Sequence, residues 1–222
     1  MARKFILFLL LCSATALYAE KLPLVEMPST KGTSDTLVVF VSGDGGWAAI
    51  DKSISKVLTD NGMPVVGLNA LQYFWTKRTP DSAARDLQQI CDRYLATWKK
   101  ERLLLIGYSR GADVLPFMTA RLSPELKSKI RLVALLGPSP TVQFEFHVAD
   151  WLHSSPKGMP VKPEVDKLHG HRVLCLFGQD DKESLCPGLH PSSTLNVVML
   201  KGAHHFDGGY EKLAHVILEQ LK

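Results

Sequence analysis

The sequence predicts an α/β fold with a mainly parallel central sheet and helices on both faces. Short apolar runs rich in Val, Leu and Ile recur at Thr36 to Val41, Pro64 to Leu68, Arg102 to Gly107, Ile130 to Leu136, Arg172 to Phe177 and Thr194 to Leu200. Strands so continuously apolar are buried on both sides, as parallel strands between helices are. Stretches with apolar residues at helical spacing separate them, notably Ser82 to Lys99, Ala112 to Arg121 and Tyr210 to Leu221, and that alternation is the pattern of a layered α/β domain. The 222 residues, 45% of them apolar, suffice for one sizeable core.

The N-terminus reads as an export signal. Arg3 and Lys4 precede the apolar run Phe5 to Leu11, and small residues follow at Ser13, Ala14, Ala16 and Ala19, the order of a cleaved secretory peptide. The run is too short to span a bilayer. Residues 1–19 are therefore assigned to the signal and 20–222 to a single domain in the periplasm. The formal charge of +4 falls by two once Arg3 and Lys4 leave, which is no nucleic-acid footprint.

The first strand, Thr36 to Val41, ends in Ser42-Gly-Asp-Gly-Gly-Trp47. Glycines there let backbone approach a ligand closely, but the Lys and Ser/Thr of a phosphate-binding loop are missing. Further on, Arg102 to Gly107 runs into Gly107-Tyr-Ser-Arg-Gly111 and then into a helix. This is the context of a nucleophile elbow, a turn so tight that the central serine is strained and its flanking positions must be glycine. Ser109 is the candidate nucleophile. From Thr141 to Leu168, with prolines at 156, 160 and 163, the rhythm breaks, and 141–168 is a candidate cap over the site.

A serine hydroxyl needs a base and an orienting acid. The strand Arg172 to Phe177 is followed by Gly-Gln-Asp-Asp-Lys-Glu-Ser, and the strand Thr194 to Leu200 by Lys-Gly-Ala-His-His-Phe-Asp-Gly-Gly. The order Ser, acid, His is that of the α/β-hydrolase fold. Motifs common in that fold select His205 as base and Asp181 as acid, with His204, Asp180 and Glu183 as alternates. A metal site built from the same acids and histidines competes, although no HExxH or Cys/His spacing supports it. The developing oxyanion needs amide donors: the N–H of Arg110, next after the nucleophile, and that of Asp44, with Gly45 as alternate. Such chemistry requires neither metal nor cofactor.

Loss of the signal removes Cys12 and leaves Cys91, Cys175 and Cys186. In an oxidising compartment two of the three should pair. Cys175 and Cys186 bracket the acid loop, so a bridge between them would hold Asp181, leaving Cys91 free inside a helix.

The motifs together resemble one family. SGDGGW, QYFWTKRTPDSAARDL at Gln72 to Leu87, LIGYSRGADVLPF at Leu105 to Phe117, FEFHVADWL at Phe144 to Leu152, CLFGQDDKESLC and GAHHFDGGY are similar to the VirJ proteins, α/β-hydrolases that include the C-terminal half of AcvB. Arg110 departs from the bulky apolar residue that the family leads one to expect there. The resemblance implies a periplasmic protein linked to virulence and type IV secretion. It also implies hydrolysis of aminoacylated phosphatidylglycerol, releasing lysine from the headgroup of a lipid at the membrane surface. A non-enzymatic adaptor of type IV secretion components on the same scaffold is the alternative.

Overall fold

The computed structural model describes residues 21–31, 34–145 and 158–222. The signal assigned to 1–19 lies outside the described residues, as does the middle of the candidate cap. A seven-stranded sheet takes β1 (Leu24–Met27), β2 (Thr36–Val41), β3 (Val65–Leu68), β4 (Arg102–Tyr108), β5 (Ile130–Leu136), β8 (Val173–Gly178) and β9 (Leu195–Leu200) in the order β1-β3-β2-β4-β5-β8-β9. All neighbours pair in parallel except β1, which runs antiparallel to β3.

The alternation of side chains along the buried strands divides the core in two. On β2, Leu37, Val39 and Val41 face one layer with α3 (Pro80–Thr97) and α4 (Arg110–Ala120), through Leu87, Ile90 and Leu115. Val38 and Phe40 face the other layer, where α1 (Ala49–Asp60) and α7 (Tyr210–Glu219) bury Ile54, Leu58, Leu213 and Ile217. Both sides of β2 are fully buried, which is why its sequence is apolar without interruption. Short helices α2 (Ala70–Tyr73) and α5 (Pro124–Lys129) follow β3 and α4.

Topology places the site. After β2 the chain moves outward to β3, then returns across β2 to lay down β4. The segments leaving the carboxyl ends of β2 and β4 therefore diverge from a topological switch point, where α/β sheets open a crevice. The described parts of 141–168 hold a small two-stranded ribbon, β6 (Thr141–Val142) with β7 (Met159–Pro160), and helix α6 (Lys162–Asp166). Tyr73 and Phe74 are fully buried, stacked edge to face, whereas Trp75 is 65% exposed.

Candidate active site

Ser109 stands between β4 and α4 with φ 53° and ψ −122°, a conformation costly for any residue with a Cβ. The surrounding fold imposes it. The Ser109 N–H donates to Leu136 O and its carbonyl accepts from Asp113 N–H. A Cβ at Gly107 would lie 2.4 Å from Gly111 O, and one at Gly111 only 2.0 Å from Val41 O. Strand and helix meet too closely there for any side chain, which is the physical content of the Gly-x-Ser-x-Gly pattern.

The histidine facing Ser109 is His204. Its Nε2 lies 2.9 Å from Ser109 Oγ, and its Nδ1 lies 2.8 Å from Asp181 Oδ2. A carboxylate only accepts, so the Nδ1 proton points to Asp181 and Nε2 is left to accept from the serine hydroxyl. Asp181 is fixed in turn: its side chain is 6% exposed, its N–H donates to Gly178 O, and its Oδ1 accepts from Glu183 N–H.

The expectation of His205 at this position is corrected by the register of the turn. Phe206 buries its ring in the core and its N–H closes on Ala203 O, so His204 points into the crevice and His205 outward. The His205 Nδ1 lies 2.7 Å from the Tyr108 hydroxyl. Burial first, then the nearby Tyr210, Asp51 and Asp181, raise the Tyr108 pKa, so the phenol stays neutral. Of the acidic alternates, Asp180 and Glu183 line the cleft beside Ser109 while Asp181 alone bonds the imidazole. Among the described residues no group of three or more His, Cys, Asp or Glu is arranged to hold a metal ion.

The cleft, about 390 Å³, is bounded by Ser109, Ser139, Lys182, Glu183 and His204. Behind it Asp113, one turn along α4, accepts from Ser139 N–H at 2.5 Å. Desolvation lifts its carboxyl well above the ordinary range against the pull of that N–H and of Arg110. Cys175 and Cys186 are bridged across a separation of 11 residues and Cys91 is free and buried. The acid loop is thus tied at both ends.

Asp44 and Gly45, the sequence candidates for an oxyanion donor beside Arg110, form the apex of the loop leaving β2. Gly43 passes so close to the elbow that a Cβ there would lie 3.2 Å from Ser109 Cβ. The family model described as "Bacterial virulence protein (VirJ)" matches residues 35–222. The chain belongs to the VirJ family. This VirJ-family chain is also similar to a carboxylesterase, Culp1 of Mycobacterium tuberculosis, 26% identical over 166 residues covering 70% of each protein. Among solved structures it resembles the Pyrococcus furiosus esterase Pf2001, with a TM-score of 0.63 and 15% identity over 90% of this chain and 91% of that one. Est1E from Butyrivibrio proteoclasticus is similar at a TM-score of 0.64, 15% identity and coverage of 89% and 93%. At such identities these likenesses establish the α/β-hydrolase fold. Arg110 and its partner Asp44 are the feature that sequence patterns alone leave unpaired, since 66 residues separate them.

Proposed function

We propose that this VirJ-family chain is a periplasmic serine hydrolase that cleaves an ester through Ser109, His204 and Asp181. The unbroken chain of hydrogen bonds from Ser109 Oγ through His204 to Asp181 carries the reading. Ser109 Oγ attacks the ester carbonyl carbon as its proton passes to His204 Nε2, and Asp181 stabilises the imidazolium that forms. The carbonyl electrons move onto oxygen, held by the amides of Arg110 and Asp44. Collapse of this intermediate expels the alcohol, which takes the proton from His204 and leaves an acyl group on Ser109. Water then repeats the sequence and releases the acid.

Family membership and the similarity to a carboxylesterase support an ester as substrate. The polar cleft, bordered by the carboxylates of Asp180 and Glu183, suits an acyl group that carries an amine. An aminoacylated phospholipid such as lysyl-phosphatidylglycerol, presented at a membrane surface, is the substrate proposed. The disulfide is consistent with an oxidising compartment. A partner-binding adaptor has no use for three groups in catalytic register.

The test is twofold. A fluorophosphonate probe should label Ser109, and Ser109→Ala should lose labelling and turnover while keeping its fold. Incubation with aminoacylated and plain phospholipids should release only the free amino acid, identified by mass. Full turnover by the Ala variant would refute the serine mechanism, and release of fatty acid instead would refute the substrate.

A further inference from the structure

Arg110 is an anomalous residue for its position. It occupies the first turn of α4, where the helix dipole disfavours a cation, and its side chain is only 13% exposed. The compensation is specific. Its Nε donates to Asp44 Oδ1, one Nη reaches Asp44 Oδ2 at 3.5 Å, and the other donates to Gln143 O at 2.8 Å and Glu145 O at 3.3 Å. One guanidinium thereby ties the residue after the nucleophile to the loop leaving β2 and to the strand end entering the candidate cap.

The Ser42–Trp47 loop is hydrogen-bonded to the body of the protein at its base, and at its apex through the contact of Asp44 with Arg110. Ser42 N–H donates to Leu68 O, Ser42 Oγ accepts from Ala70 N–H, and Gly46 N–H closes on Gly43 O. At the apex Gly45 is exposed, and a Cβ there would touch nothing within 4 Å. Asp44 contacts the body of the protein through Arg110. A fork of two N–H groups on a carboxylate fixes direction as well as distance, so it restrains the Asp44 side chain at the apex of the turn that Gly46 N–H closes on Gly43 O.

We infer that Arg110 is a positioning residue for the oxyanion hole: locked on the Asp44 carboxylate, its guanidinium holds the loop apex so that the Asp44 N–H faces the oxygen of the attacked ester. This rests on the reading of Ser109 as nucleophile. Its consequence is selective, because a preorganised donor acts on charge that exists only in the transition state. Loosening the apex lowers kcat and leaves KM nearly unchanged, whereas a merely structural contact would lower the melting temperature and leave kcat of the folded protein alone.

The experiment measures kcat and KM on a soluble p-nitrophenyl ester, together with the rate of Ser109 phosphonylation by a fluorophosphonate. It compares wild type, Arg110→Met, Arg110→Lys, Asp44→Ala and the double variant Arg110→Met/Asp44→Ala. Arg110→Met should lose about 10- to 100-fold in kcat and in phosphonylation, below the 10²- to 10³-fold typical of deleting a donor outright. KM should stay within about threefold. Arg110→Lys, which keeps the charge and lacks the fork, should recover only part of the loss. The double variant should be no worse than the weaker single one, since both break the same link. Wild-type kcat in folded Arg110→Met, or losses that multiply in the double variant, would overturn the inference. If Arg110→Met does not fold, wild-type kcat in Arg110→Lys overturns it equally. Wild-type protein that labels at Ser109 while every Arg110 variant labels at the same rate removes the positioning role alone. Turnover that survives Ser109→Ala removes both.

Discussion

Opening the Cys175–Cys186 bridge should destabilise the protein measurably and slow it modestly. The closed loop spans a separation of 11 residues, for which the chain-entropy relation gives about 3 kcal/mol at 25 °C. For a 222-residue chain each kcal/mol moves the midpoint by about 2–4 °C, so the expected fall is about 6–12 °C. Turnover should drop less than about tenfold, because the loop keeps other ties: Asp181 N–H on Gly178 O and Leu185 N–H on Pro138 O at 2.6 Å. Thermal unfolding and ester turnover of Cys186→Ala, beside wild type with and without a phosphine reductant, measure both effects. Cys91→Ser serves as the control outside the loop. Reduced wild type should match Cys186→Ala, since both lose the same constraint. A midpoint within 2 °C or so of oxidised wild type would refute the claim that this bridge constrains the unfolded chain.

Asp51 gives a pH signature. It is fully buried with Oδ1 unpartnered among the described residues, and desolvation raises its pKa from 3.8 to about 6, against the pull of Ala48 N–H. A carboxyl held higher in the folded state binds its proton more tightly there. Its contribution is therefore intact below about pH 4 and lost as pH rises through 6, by at most about 3 kcal/mol. Asp51→Asn keeps an oxygen for Ala48 N–H and cannot ionise, so its stability relative to wild type should climb across that window in urea titrations; a difference flat in pH would contradict this. Gly111→Ala, whose Cβ would lie 2.0 Å from Val41 O, should cost about 3 kcal/mol or more, and a wild-type melting temperature would refute the close approach. The thiol of Cys91, buried and with its pKa raised by desolvation, should resist alkylation in folded protein and react in urea, as mass spectrometry would register.

The sequence carries the sheet well where strands are buried on both faces. Thr36–Val41 and Ile130–Leu136 coincide with their apolar runs, β3, β4 and β9 differ from theirs by a residue at one end, and β8 is shifted by one residue at both ends. Leu24–Met27 leaves no such mark: it is four residues long, half-exposed and antiparallel at the sheet edge, so neither continuous apolarity nor clean alternation develops. The acid loop is legible because Cys175 and Cys186 bracket it. The choice between adjacent histidines is not, because a turn sends neighbours in opposite directions and its register is set by Phe206 entering the core. Arg110 stands out in sequence as an unexpected residue, but its link to Asp44 depends on β2 and β4 lying side by side.

The most direct test of the account compares single-turnover acylation by His204→Ala and His205→Ala, both checked for native thermal unfolding. His204 bridges Ser109 and Asp181 at hydrogen-bond distance, whereas His205 meets the Tyr108 hydroxyl. Loss of His204 should cost on the order of 10⁴-fold or more, as removal of a triad base does. Loss of His205 should cost about tenfold or less. Acylation that survives in His204→Ala and collapses in His205→Ala would contradict the assignment of the base.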